Sequence, residues 1–325
     1  MSIYIGIDTS CYTTSVAAID ANGGLVADLR KLLQVPTGER GLQQSAALFQ
    51  HVQNLPPLLS ELSCKIDMSQ IAGVAVSTRP RPLEGSYMPV FTVSAGQGQI
   101  LASALGVPLI NSSHQEGHLV AGLWSAGKSP KHDKFLEVHL SGGTTELLLV
   151  EKRPVSLDQP LFQISLLGGT TDLHAGQFID RVGVRLGLGF PAGPHLEELA
   201  KNGCAGRGLI PSSVQGYDVS FSGPESHAQR LIDKQTPREF VARAVEACIV
   251  KTLIKLISKG IAEEGISEVL VVGGVAANAY IRGELQSYFE KKGNKLFFAE
   301  PKFSSDNAVG TAVIAHKALR ENHRK

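Results

Sequence analysis

The chain has 325 residues, with 31 Lys+Arg against 30 Asp+Glu and a formal charge of +1. At about 150 residues per domain the length suits two domains, and 43% hydrophobic with 19% charged residues excludes a disordered chain. The near-neutral balance excludes a uniformly basic nucleic-acid wrapper while leaving a local basic patch open.

The first residues, SIYIGID, lack the charged and apolar segments of a secretory leader. No apolar run approaches the ~18 residues of a membrane helix, so a soluble, cytoplasmic protein is expected. Alternation predicts strands at Ile3–Asp8 and 13–19, and the turn signal Asn22-Gly23-Gly24 precedes a third at 25–29. Residues 41–62 carry apolar side chains at helical spacing, with Pro56-Pro57 marking an interruption or a second helix start. A buried-type strand at 71–77, an Ala- and Gly-rich helix at Phe91–Leu105 and a short strand at 107–111 lead into a helix within SSHQEGHLVAGLW. The opening pattern then recurs, with strands at 135–140 and 146–150 around Ser141-Gly142-Gly143-Thr144-Thr145 and a third at 162–166. Helices are predicted at 174–187, 193–202, 222–234 and 237–264. An apolar strand at Glu268–Val272, a helix to about Lys291, a strand at Lys295–Phe298 and a helix starting near Ser304 complete the chain. Two halves, each begun by a hairpin, predict two related α/β lobes. Their expected bounds are 1–112 plus 306–325, and 113–305 with helical insertions. The four cysteines (Cys11, Cys64, Cys204, Cys248) contain no CxxC pair, which excludes a zinc ribbon and a disulfide framework.

Many of the 34 glycines stand in turns with small hydroxyl residues. IGIDTSCYTTSVAAID (5–20) and VHLSGGTTELLLV (138–150) are strand–turn–strand elements whose backbone N–H groups could cradle phosphate oxygens. VLVVGGVAANAYIR (269–282) passes from a buried strand through Gly273-Gly274 to a helix, where a nucleotide could lie against bare backbone with Asn278 as a hydrogen-bonding group. Each alone is weak evidence, since such turns are usually only turns. Their occurrence together in this order predicts the actin–sugar kinase–Hsp70 architecture, in which duplicated lobes clamp a nucleotide.

His114 and His118 stand four apart, so one helix face can present both to a metal. Surface or capping histidines are the commoner reason for HxxxH. Glu116 points elsewhere on a helix, so this is not the HExxH protease arrangement. Asp306 in SSDNAVG is the leading third ligand, with helix N-capping as its ordinary alternative. Asp180 lies on an amphipathic helix ending in GLGFPAGP, where Gly193 would allow close approach of a ligand. A solvated helix carboxylate is the plainer reading of Asp180.

IGIDTSCYTTSVA, HQEGH, LSGGTTEL, GQFIDRVGVRLGLGFPAGP, VSFSGPESH, VVGGVAANAYIR and SSDNA, in this order, resemble the tRNA N6-adenosine threonylcarbamoyltransferase family (TsaD type), formerly called O-sialoglycoprotein endopeptidases or glycoproteases. The resemblance implies an α/β actin-like ATPase fold of two duplicated lobes of mixed sheet. It implies transfer of a threonylcarbamoyl group from its adenylate to N6 of an adenosine in tRNA, not proteolysis. One divalent transition metal per chain, iron or zinc, would be held by His114, His118 and Asp306. His139, Leu140, Ser141, Gly142 and Gly143 would line the substrate, and Asp180, Gly193 and Asn278 would hold the adenylate ribose and base. Partners would be tRNA and the adenylate-forming and regulatory proteins of the system. No membrane is implied, and ATP binding and homo-oligomerisation stay open.

The chain departs from the family pattern at presumed phosphate contacts around Ser10. Tyr12 stands where a carboxylate is usual, Thr144 where SGGHT has histidine, Arg79-Pro80-Arg81 where Gly-Pro-Gly is usual, and Glu225 where FSGLKT has lysine. The lost acid and histidine would weaken handling of a magnesium–triphosphate or adenylate, and the two arginines imply a filled cleft or a new anionic ligand, with ordinary drift on a solvated loop as the plainer alternative. A non-catalytic or regulatory paralogue that keeps fold and metal site and binds a nucleotide or partner protein is therefore the alternative. A small-molecule carbamoyltransferase or kinase of the same architecture is a third expectation.

Overall fold

Strands covered on both faces read as continuous apolar runs; IAGVAVS is of that kind, and IYIGID, which alternates, is nonetheless buried throughout. The computed structural model describes residues 2–10, 12–35, 42–154, 159–203 and 210–322. Cys11, Cys204 and Gly41, the expected opening of the first helix, lie outside the described residues. In chain order the first elements are β1 (Ile3–Asp8), β2 (Thr13–Asp20), β3 (Leu25–Leu32), α1 (Gln44–Ser63), β4 (Ile71–Arg79), α2 (Phe91–Leu105), β5 (Leu109–Ser113) and α3 (His114–Ser125). Next come β6 (Lys134–Leu140), β7 (Thr145–Lys152), β8 (Phe162–Thr170), α4 (Ala175–Arg185), α5 (Gly193–Ala200), β9 (Ser213–Gln215) and β10 (Asp218–Ser220). The chain continues through α6 (Ser222–Asp233), α7 (Arg238–Glu264), β11 (Glu268–Val272), α8 (Ala279–Glu290), β12 (Lys295–Phe298) and α9 (Val309–Asn322).

The chain divides into two compact units, one of Met1–Gly127, Lys152–Gln163 and Ser305–Lys325, the other of Lys128–Glu151 and Ile164–Ser304. In the first, the sheet order is β3-β2-β1-β4-β5, with β3, β2 and β1 antiparallel and β1, β4 and β5 parallel. The period-2 alternation of β1 sends Ile3, Ile5 and Ile7 into a core with Leu55, Leu58 and Leu62 of α1 and Val93 of α2. Tyr4, Gly6 and Asp8 take the other face, where Tyr4 meets the His316 ring of α9 edge-on. A Cβ on Gly6 would stand 2.3 Å from the Ala312 nitrogen, so α9 lies directly on β1. The helix α1 runs unbroken through Pro56 and Pro57. Both prolines are on its exposed side while Asn54, Leu55, Leu58 and Leu62 are buried, and that burial outweighs the lost N–H groups.

The second unit's sheet is ordered β12-β11-β6-β7-β8-β10-β9. Its run β8-β7-β6-β11-β12 repeats the order of the first sheet, with β6/β7 antiparallel and β6, β11 and β12 parallel. The β9–β10 hairpin, turned at Gly216 with φ +62°, extends it; the sequence patterning did not reveal these three-residue strands. Leu136, Val138 and Leu140 of β6 pack with Phe178 of α4, Val245, Ile249 and Leu253 of α7 and Leu285 of α8. In this division α3 lies in the first unit, whereas the expected boundary after residue 112 grouped it with the second. The cause is its seat on α9, where a Cβ on Gly310 would come within 1.8 Å of the Gly117 carbonyl oxygen. Among the described residues, no helix is long and apolar enough to cross a membrane.

Candidate functional site

The helix α3 begins where β5 ends, and a capping box fixes that junction. Ser113 Oγ accepts from Glu116 N–H at 3.2 Å, while Glu116 Oε2 accepts from Ser113 N–H at 3.1 Å and from its hydroxyl at 2.9 Å. Glu116, the acid of HQEGH, is thereby committed to the helix end, and burial raises its carboxyl despite the Ser113 bonds. His114 becomes the first helical residue, and His118 lies one turn along on the same face. Asp306 arrives from the far end of the chain. The last helix starts at Val309 rather than near Ser304, and Asn307, not Asp306, caps it: Asn307 Oδ1 accepts from Val309 N–H at 2.9 Å. Capping therefore leaves the Asp306 carboxylate to the histidines.

The three ligand atoms converge. His118 Nε2 is 3.0 Å from His114 Nε2 and 3.2 Å from Asp306 Oδ1, and His114 Nε2 is 3.6 Å from that oxygen. A divalent ion with bonds of about 2.0–2.2 Å spaces neighbouring donors roughly 2.8–3.6 Å apart between octahedral and tetrahedral angles, so this nitrogen–nitrogen–oxygen set fits one. Burial pushes the Asp306 carboxyl up, but hydrogen bonding to His118 and the two imidazoles hold it below its ordinary value. Beneath them lies Asp8, at the end of β1, which the sequence patterning did not single out. Its Oδ2 is 3.1 Å from His114 Nδ1 and accepts from Ser77 Oγ at 2.5 Å, while Oδ1 accepts from the N–H of Ser10 at 2.9 Å and from its hydroxyl. Burial raises this carboxyl too, and His114 with the two serines outweighs it and holds Asp8 well below the carboxylate range. The available signal was an acid closing an otherwise apolar buried strand.

In the second unit the Ser141–Thr144 turn is tied by its own serine. Ser141 Oγ accepts from the N–H groups of Gly143 at 3.2 Å and Thr144 at 3.0 Å, and Ser141 N–H donates to the Thr144 carbonyl at 2.8 Å. His139 and Leu140 are buried on β6 just before it. Among the described residues, a Cβ on Gly142, Gly143, Gly193 or Gly274 would meet nothing within 4 Å. Gly273 is different: φ is +98° and a Cβ would stand 2.4 Å from the Leu140 carbonyl oxygen, so the fold itself demands that glycine. Asp180 Oδ1 accepts from Ala192 N–H at 2.7 Å, tying α4 to the entry of α5, and burial raises its carboxyl. Asn278 turns its carboxamide inward. Its Oδ1 caps α8 through Ile281 N–H at 2.9 Å and its Nδ2 donates to buried Glu246 at 2.7 Å. Asp172, also not singled out, receives Ser220 Oγ at 2.5 Å and the N–H groups of Phe221 and Ser222 at the start of α6.

The altered positions are spread. Tyr12 is exposed, and Thr144 is half-buried in its turn. Arg79 ends β4 opposite Ser113 and its charge acts on Glu116. Pro80 accepts from Gln115 N–H at 3.0 Å and Arg81 N–H donates to Ser86 Oγ at 3.0 Å, so the segment after β4 is hydrogen-bonded to the first turn of α3. Glu225 accepts from Gln229 one turn along α6.

Several solved structures share the fold. One is component A of (R)-2-hydroxyglutaryl-CoA dehydratase from Acidaminococcus fermentans, 16% identical, TM-score 0.55, covering 98% of this chain and 100% of that one. A second is a ROK family glucokinase from Streptomyces griseus in complex with glucose and AMPPNP, 14% identical, TM-score 0.53, covering 97% and 100%. HypF from T. kodakarensis is 13% identical, TM-score 0.60, covering 98% of this chain and 48% of that one. These establish the α/β actin-like ATPase fold expected above. The model of the family TsaD, tRNA N6-adenosine threonylcarbamoyltransferase, matches residues 34–313, and the chain belongs to that family.

Proposed function

We propose that this protein transfers a threonylcarbamoyl group from threonylcarbamoyl-adenylate to N6 of an adenosine in tRNA, in the cytoplasm, with His114, His118 and Asp306 holding one iron or zinc ion. The observation that carries the proposal is the convergence of those three donors, 3.0–3.6 Å apart, in a chain of this family. When bound, such an ion supplies Lewis-acid polarisation of a substrate oxygen. In the transfer a bond forms between N6 and the carbamoyl carbon, the bond from that carbon to the phosphate oxygen breaks, AMP leaves, and the N6 proton passes to solvent. The N6 lone pair is delocalised into the purine, so orientation of the two substrates supplies much of the acceleration. Within the second unit, the self-tied turn at Ser141–Gly143 presents a rigid backbone to the donor, and Asp180 and the open backbone of Gly193 receive ribose and base. Asn278 acts there by fixing the start of α8, since its carboxamide is engaged by Ile281 and Glu246. Adenylate-forming and regulatory proteins are the expected partners.

The test is a transfer assay with threonylcarbamoyl-adenylate, tRNA and the regulatory partner proteins, read by mass spectrometry of the digested nucleosides. Wild-type protein yields modified adenosine, and His118→Ala lowers the yield at least ~100-fold, the scale of a lost electrostatic contact to the reacting group. No product from wild type with an intact donor overturns the proposal. The inward carboxamide of Asn278 favours a second reading, a regulatory relative that binds metal without transfer. Full metal content with no product selects it.

A further inference from the structure

We infer that Asp8 is a positioning residue of the metal centre: its carboxylate holds His114 in the tautomer protonated on Nδ1, which turns the Nε2 lone pair toward His118 and Asp306. The inference rests on the metal reading above and assigns a role to a residue that is not itself a ligand.

Asp8 is 1% exposed, and a buried carboxylate persists only with its lone pairs satisfied. Oδ1 takes both donors of Ser10, and Oδ2 takes Ser77 Oγ and faces His114 Nδ1 at 3.1 Å. An ionised carboxylate only accepts, so the ring nitrogen opposite it carries the proton. The other nitrogen, Nε2, is then the acceptor, and it is the atom placed 3.0 Å from His118 Nε2. Ser77 Oγ also lies 3.4 Å from Thr311 Oγ1 of α9, which links the clamp to the helix that follows Asp306.

A substitution separates this role from simple packing. In Asp8→Asn the fixed backbone N–H of Ser10 requires the amide oxygen at the Oδ1 position, so the amide NH2 stands at the Oδ2 position. There it donates to His114 Nδ1 and drives the ring to the tautomer protonated on Nε2, with a proton where the metal should bind. Asp8→Ala leaves the ring free to choose. The isosteric variant is therefore the more harmful one, the reverse of what packing alone would give.

The experiment uses the full chain, stripped of metal by a chelator and titrated with Co2+ against a chromophoric competitor. Long-range 1H–15N spectra of the metal-free protein report the imidazole tautomers. Loss of such a partner weakens metal affinity roughly 10–100-fold. Asp8→Ala is expected near the lower end, Asp8→Asn near or beyond the upper end, and Ser77→Ala changes affinity in the same direction by less. His114 of the wild type is expected in the Nδ1–H form, and in the Nε2–H form in Asp8→Asn. The wild-type spectrum and Ser77→Ala carry the test if the Asp8 variants do not fold. An affinity of Asp8→Asn equal to or above that of Asp8→Ala, or a wild-type His114 protonated on Nε2, overturns the inference while leaving the metal site standing. Undiminished Co2+ affinity in both His114→Ala and His118→Ala overturns the metal reading and this inference together.

Discussion

Two buried glutamates have fates that composition does not distinguish. Glu116 is spent on the α3 capping box: its carboxylate accepts from the Ser113 N–H and hydroxyl, and its own N–H donates to Ser113 Oγ. Glu116→Gln, which preserves the box, is expected to keep transfer activity, whereas Glu116→Ala is expected to lose about 1–2 kcal/mol in urea unfolding. A large loss of turnover in Glu116→Gln with unchanged stability would instead make it a chemical participant. Glu137 on β6 is fully buried, and neither oxygen has a hydrogen-bond partner among the described residues. Burial, then the charge of Glu146, push its carboxyl up to about 8. The folded protein therefore binds a proton that the unfolded chain releases from about 4.5 upward. Its contribution is full below that value, falls as pH rises through about 8, and is flat beyond. Unfolding midpoints of Glu137→Gln are expected to decline less than wild type across that window. Parallel curves would contradict it.

At the scale of elements, the candidate site depends on how α3 meets α9. Gly117 and Gly310 allow their backbones to touch, and the turn before α9 then delivers Asp306 to the histidine face. Gly310→Ala is expected to cost ~3 kcal/mol or more, because the new methyl meets backbone rather than a movable side chain. It should also reduce bound metal, measured by elemental analysis of the folded fraction. Full metal content and unchanged stability would mean that this crossing does not set the site. His114 and His118 were legible because a helical period of four residues is local. Asp306 was legible only as a candidate, since its convergence needs the C-terminal segment to return to the first unit. Asp8 and Ser77 were not singled out, because pairing of β1 with β4 brings them together across 69 positions. The prolines of α1 misled in the other direction: their local cost is real, but the buried leucine face decides the helix.

Over the whole molecule, the same strand order occurs in both units, and the recurrence of hairpin, glycine turn and alternating helices made that duplication readable. The unit boundary was less so, because helix packing rather than chain patterning assigns α3. The first unit gathers residues 8, 77, 114, 118 and 306 at the carboxyl ends of its parallel strands and the adjoining helix starts, where open α/β sheets commonly bind ligands. The proposed function depends most on the proposed joint ligation of one ion by two imidazoles and a carboxylate. X-ray absorption at the metal edge of the iron- or zinc-loaded protein measures it. The expected spectrum shows two imidazole nitrogens and carboxylate oxygen at about 2.0–2.2 Å from the ion, with the imidazole scattering reduced in His118→Ala. A shell without imidazole, or one unchanged in both His114→Ala and His118→Ala, would contradict it.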